Sequence, residues 1–184
     1  AYSGVQRSAD LNLMALRSSN TAAVKLQNVR IDPVDVIHAD ARQYLPAVRP
    51  SFLGLQCGMS IGLARASLDA AHKLSATSRN QLTARIEELQ RLLADTVWQL
   101  FEGVQDGRFK TKAAPLFRIR ILLAEIVQQA VSLELQASGG RAYLQDGDKS
   151  FARRWREAAF VPIVTPSLTQ LQIELQKQAA AQQV

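Results

Sequence analysis

The chain has 184 residues, 47% of them hydrophobic and 21% charged, with a formal net charge of +6. That length buries a sizeable core without a structural metal or disulfide staple; the single cysteine, Cys57, excludes an internal disulfide and fits a reducing compartment. No run of about eighteen apolar residues is present, which excludes a membrane-spanning helix, and Ala1-Tyr2-Ser3-Gly4 has neither the basic start nor the apolar stretch of a secretion signal.

From about Ala9 to Ile31 the pattern is strand-like: Leu11, Leu13 and Ala15 alternate with Asn12 and Met14, and Val24, Leu26 and Asn28 repeat the period of two. Ser18-Ser19-Asn20 reads as the turn between them, so a hairpin is expected. Two strands alone are marginal in water, and their edges call for a larger sheet. Asp32 to Pro50, with prolines at 33, 46 and 50, reads as a linker. The first long helix is expected from Ser51, an N-cap after Pro50, to about Leu74, with Phe52, Leu55, Met59, Leu63, Ala66 and Ala70 on its apolar face. Gly54, Gly58 and Gly62 form a second stripe, bare of Cβ atoms, on which another backbone can approach closely. A second helix follows from about Ser78 to Glu102, carrying Leu82, Ile86, Leu89, Leu93, Val97 and Leu100, with Gly103 and Gly107 at its exit. The third opens near Pro115 and runs to the Gly139-Gly140 hinge. A short arginine-rich helix spans Ser150 to Phe160, and a last one opens at Thr165 as N-cap and Pro166 as N1. The whole is a mainly α chain: an up-down helical bundle over residues 47–184, preceded by a short hairpin and linker over 1–46.

The positive charge does not mark a nucleic-acid protein. Basic residues are interleaved with acids, as in Arg85, Glu87, Glu88 and Arg91, the pattern of solvated helix faces rather than a phosphate-binding stripe. His38 and His72 have no metal-ligand spacing around them, and Cys57 reads as helix packing. The chemically suggestive segment is Gln136-Ala137-Ser138-Gly139-Gly140-Arg141, followed by Arg153, Arg154 and Arg156. Glycines after a helix expose backbone N–H groups, and guanidinium groups bind phosphate. The same glycine pair also serves as an ordinary C-cap.

The order of these segments resembles the C-terminal part of the acyl-CoA dehydrogenase flavoproteins. Leu16 to Thr21 is similar to the family's turn into the last strand of its middle β-domain, and Ala22 to Pro33 to that strand. Gly58 to Ala71 is similar to its first bundle helix, Leu92-Leu93-Ala94-Asp95 to its "L-A-D", and Gln136-x-x-Gly139-Gly140-x-x-Tyr143 to its "Q-x-x-G-G-x-G-Y", with Ala142 in place of a glycine. The resemblance implies a cytoplasmic oxidoreductase that binds FAD and dehydrogenates acyl-CoA thioesters at the α,β bond. It also implies a homodimer or homotetramer, in which Arg79, Gln136, Gly139 and Gly140 contact the cofactor. Arg79 stands where the family opens its "R-x-x-F-G", although Asn80-Gln81-Leu82 follows it here. The family's N-terminal domain and most of its β-domain would lie outside this chain, which also lacks an initial Met. A piece of a longer enzyme is therefore expected, binding FAD weakly or not at all by itself.

The family's catalytic glutamate precedes its last helix. Thr165 holds that position here, and threonine is no proton acceptor at neutral pH. Relatives that move the glutamate to the first bundle helix would carry it near Phe52 and Leu53, yet no acid occurs between Asp40 and Asp69. The catalytic base is thus unassigned. Two alternatives stay open: a flavin-dependent monooxygenase of the same fold, and a non-catalytic helical interaction module.

Overall fold

The computed structural model describes residues 3–78, 80–144 and 150–181. The chain divides into two units, Ala1–Pro46 and Ala47–Val184. In the first, β1 (Val5–Arg7) pairs antiparallel with β2 (Val24–Leu26), setting Val5 against Leu26 and Arg7 against Val24. The hairpin is there, but its first strand lies upstream of the Leu11–Ala15 segment. That segment belongs to the connection, which is tied by polar side chains. The Arg7 guanidinium is ion-paired with Asp10 and also donates to the Asn20 carbonyl at 2.9 Å, while the Asn20 amide donates to the other Asp10 oxygen at 2.8 Å. These donors, Arg7 first, hold the Asp10 carboxyl below its ordinary range. Asn20 itself sits at φ 52°, which its short polar side chain tolerates.

The expected linker is largely helix. Asp40 caps it, accepting from the Arg42 N–H at 2.8 Å, and α1 runs without interruption over Ala41–Ser78. Pro46 and Pro50 lie inside it. Each withdraws one N–H from the helical ladder, the local signal that made this stretch read as irregular.

In the second unit, α1 continues and is followed by α2 (Thr83–Gln105), the short α3 (Arg108–Thr111), α4 (Ala114–Ser138), α5 (Ser150–Phe160) and α6 (Leu168–Ala181). Among the described residues no helix is long and apolar enough to cross a membrane. α4 packs against α2, α5 and α6. Leu116, Ile119, Leu123, Ile126, Val127, Ala130, Val131 and Leu133 are all buried, so α4 is apolar around most of its circumference, as a central helix must be. The α2 stripe read from the sequence is buried from Ile86 through Leu100, although the helix proper starts at Thr83 behind a 3-10 turn at Asn80–Leu82.

On α1 the buried face is not the expected one. Leu55 is 76% exposed, Phe52 52% and Met59 46%, while Leu53, Cys57, Ile61, Ala64, Leu68 and Ala71 line the core. Ser60, Ser67 and Ser75 are buried among them. The face α1 turns inward mixes Leu53, Ile61 and Leu68 with small side chains, and lies opposite Phe52, Leu55 and Met59. The glycine stripe also lies outside the packing: a Cβ at Gly54, Gly58 or Gly62 would meet nothing within 4 Å.

Gly103 behaves differently. A Cβ there would fall 2.1 Å from the buried Phe109 ring, so α3 folds its aromatic side chain directly onto the α2 backbone. Gly103→Ala should destabilise the protein by roughly 1–3 kcal/mol through overpacking, whereas Gly58→Ala should stabilise the monomer by roughly 0.5–1 kcal/mol through helix propensity. Urea unfolding of the two variants checks the opposite signs.

Candidate functional site

The most constrained irregular segment is the turn between α5 and α6. Three side chains from other helices reach its carbonyls. Gln128 of α4 donates to Ala158 O at 2.8 Å, Arg120 of α4 donates to Val161 O at 2.8 Å, and Gln56 of α1 donates to Thr165 O at 2.7 Å. Ala158 O, in the last turn of α5, also accepts from the Val161 N–H at 3.2 Å, while Val161 O and Thr165 O lie beyond the helix. Within the turn, Ile163 N–H donates to Phe160 O at 3.0 Å and Leu168 N–H to Pro162 O at 3.0 Å.

Thr165 lies in this turn, exposed, before a cis peptide to Pro166. It is not the cap of the last helix. Ser167 is: its hydroxyl accepts from the Gln170 N–H at 3.3 Å, and the Gln170 side-chain oxygen accepts from the Ser167 N–H at 2.8 Å. This is a capping box, written in the sequence as Ser167-Leu168-Thr169-Gln170; Pro166 accordingly precedes the cap.

At the far end of α4 lies the glycine segment. Gly139 adopts φ 59° and its N–H bonds to Leu135 O, so it performs the C-cap role. Gly140 is exposed with nothing within 4 Å of a would-be Cβ, leaving room for close approach by another group. Gln136 is exposed on the last turn of α4, its amide donating to Ser132 O at 3.2 Å, and Arg141 is exposed beside it. Gln136, Gly139 and Gly140 therefore share one surface at the α4 exit. The remaining candidate, Arg79, lies outside the described residues.

Beneath that surface a buried ion pair joins α4 to α5. Arg154 Nε donates to Glu134 Oε2 at 2.9 Å and its Nη2 donates to Oε1, with the Glu134 side chain only 2% exposed. Arg154 thus has a structural partner, while Arg153 pairs at 3.9 Å with Glu157.

Near the N-terminal half of α1 runs an apolar groove of about 450 Å³, lined by Gly54, Leu55, Gly58, Phe101, Val104 and Lys110 among others. Among the described residues no cluster of three metal-ligating side chains exists. His38 stacks on Tyr44 and accepts from the Asp40 N–H at 3.0 Å. The Cys57 thiol is buried, and desolvation pushes it up to about 11. Its role is packing.

Gln56, Arg120 and Gln128 escaped the sequence reading. Arg120 lies between Ile119 and Ile121, two residues from the exposed Arg118, and the sequence does not tell the buried arginine from the exposed one. Gln56 is buried beside Cys57, and as a lone amide on the helix it gives no local signal of its partner.

Neither a family model nor a curated protein sequence matches the chain. Solved structures do. Glutaryl-coenzyme A dehydrogenase in its glutaryl-CoA complex matches with a TM-score of 0.85 and 16% identity, over 98% of this chain and 48% of that one. Acyl-CoA dehydrogenase from Geobacillus kaustophilus matches at 0.85 and 13%, over 97% and 50%. Nitroalkane oxidase, an active-site mutant with 1-nitrohexane, matches at 0.78 and 14%, over 95% and 44%. The chain thus has the acyl-CoA dehydrogenase fold and spans about half the length of the solved chains it matches.

Two outcomes follow from the local geometry. Ser167→Ala should cost about 1 kcal/mol of stability by removing the cap, and Thr165→Ala should be close to neutral; thermal unfolding separates them. The Cys57 thiol titrates at 9.0 when unfolded and about 11 when folded, so between those values the folded state holds a proton that the unfolded state has lost. Stability should therefore fall as pH rises from 9 to 11, by on the order of 2 kcal/mol in total, and urea titrations of Cys57→Ala should lack that component.

Proposed function

We propose that this chain is the C-terminal helical part of a flavin-dependent oxidoreductase of the acyl-CoA dehydrogenase kind. The observation that carries the reading is the fold match along nearly the whole chain to glutaryl-coenzyme A dehydrogenase. Nitroalkane oxidase, described as a flavoprotein, matches as well. The Gln136–Gly140 surface supports it: Gly140 is open, Arg141 offers a guanidinium, and Gln136 offers an exposed amide. These groups fit one end of FAD, its adenosine-diphosphate part, with the backbone of Gly140 allowing close approach and Arg141 facing phosphate charge. Arg79 joins them in this proposal.

The reaction proposed is α,β-dehydrogenation of an acyl-CoA thioester. Bound FAD would accept a hydride from the acyl β-carbon. The chain's contribution at the reacting end is the Val161–Ser167 turn, whose main chain Gln56 and Arg120 hold in place. A homodimer or homotetramer is the proposed assembly. Leu55 and Met59 of α1 and Trp98, Phe101 and Val104 of α2 are apolar and exposed, a surface suited to a second copy.

One observation favours the flavin-dependent monooxygenase instead. The α-proton needs a base of suitable pKa within hydrogen-bond reach, and the turn offers Thr165 with no carboxylate from Ala158 to Gln170. The nearest acid before it, Glu157, is turned to Arg153. A monooxygenase using reduced flavin and oxygen does not require that base.

The deciding experiment uses the whole flavoprotein. Thr165→Glu should restore a carboxylate at the turn and produce acyl-CoA-dependent bleaching of the flavin band, absent in the wild type. Bleaching already strong in the wild type would mean the base lies elsewhere. Oxygen consumption with NADH and a reductase, without bleaching in either protein, would move the assignment to the monooxygenase. Gel filtration with absorbance detection reads the assembly in the same samples; a flavin-free monomer would overturn both the cofactor and the oligomer.

A further inference from the structure

We propose that Arg120, together with Ser60 and Cys57, forms a buried site for a single halide-sized monovalent anion. Arg120 is 0% exposed, and its Nη2 bonds to Val161 O at 2.8 Å. Its Nε and Nη1 meet no acceptor among the described residues, and no carboxylate of those residues pairs with it. A buried guanidinium stays charged, so its isolation is costly unless something supplies the counter-charge. The carbonyl end of α5 offsets part of it through the helix dipole. Two N–H directions and the rest of the charge are left over.

The surroundings favour an anion. The charge of Arg120 is felt at the Cys57 thiol across the α1–α4 contact. That thiol stays protonated at neutral pH and is a weak donor. Ser60, one turn along the same face, is buried with its hydroxyl oxygen unpartnered and is free to donate. Among the described residues Gln56 Oε1 is also buried and unpartnered, an acceptor that suits a bridging water instead. Arg120 is shielded from solvent, so the ligand proposed is a single ion. The site lies in the bundle interior, behind the Val161–Thr165 turn, and does not depend on the proposed flavin reaction.

Thermal unfolding of the full chain at constant ionic strength, with sodium chloride or bromide exchanged for sodium gluconate, tests it. The wild type should melt higher in halide, by on the order of 3 °C once halide exceeds Kd about tenfold. Ser60→Ala should reduce that shift, and Arg120→Met should abolish it. A crystal grown in bromide should show an anomalous peak within hydrogen-bond distance of Arg120 Nε or Nη1, a readout that needs no variant to fold. No halide shift in the wild type, or an equal shift in Arg120→Met, overturns the proposal. So does a peak without anomalous signal, which marks a water between Arg120 and Gln56. A bromide peak without a solution shift marks binding at crystal concentration only, and overturns it too.

Discussion

The bundle depends on the requirement that polar groups carried into a core find partners there. α4 is apolar around most of its circumference, yet it carries the buried Arg120 and Glu134, and the more exposed Gln128, along the side that meets α5. Each has a defined partner: Val161 O, Ala158 O and Arg154, in that order. As the number rises on α4 it falls on α5, so the contacts set the two helices antiparallel and fix their register. An apolar seam of Ala158 and its neighbours would tolerate sliding by a turn. A seam that leaves a buried carboxylate or guanidinium bare after sliding does not, because each orphaned group costs several kcal/mol.

That register has a consequence for chemistry. Once α5 is fixed, the turn that follows it reaches α1, where Gln56 donates to Thr165 O. The turn carrying Thr165 is therefore held from two helices and closed on itself by the Pro162–Leu168 hydrogen bond, and α6 starts afresh from its own capping box. A rigid segment between two helices suits the placement of a reacting group, which must sit within a fraction of an ångström of its target. The same rigidity is compatible with a purely structural role. What distinguishes the readings is side-chain chemistry, and this turn offers hydroxyls rather than a carboxylate.

Much of the architecture was legible in the sequence because strong periodicity and termination signals agree with the packing. The stripe of α2, the start of α4 near Pro115, its end at Gly139 and the span of α5 were all readable from local pattern. The rest failed for identifiable reasons. Pro46 and Pro50 are strong local breakers, but the capped stretch from Asp40 is helical through both. The Leu11–Ala15 alternation has strand period without a partner strand, and the Arg7–Asp10–Asn20 contacts, invisible to periodicity, shape that connection. Thr165-Pro166 resembles a helix start, while Ser167-x-x-Gln170 carries the reciprocal hydrogen bonds that make one. Of the candidate site, the glycine segment was legible as a motif. Gln56 and Arg120 were not, since their importance lies in carbonyls more than forty residues away or nearly so.

α1 shows why hydrophobicity by itself misplaces a helix. Its outer side carries Phe52, Leu55 and Met59, while its inner side mixes Leu53, Ile61 and Leu68 with Cys57, Ser60, Ala64, Ser67, Ala71 and Ser75. The buried leucines and isoleucine supply most of the apolar area, and the small residues between them fill the spaces that remain. The outer side chains are then left at the surface, next to the glycine-floored groove and the exposed Trp98, Phe101 and Val104 of α2. Apolar area of that kind on a monomer is a standing incentive to cover it. Its position follows from the same choice that gave α1 its inner face: with Leu53, Ile61 and Leu68 buried, Phe52, Leu55 and Met59 are left on the other side.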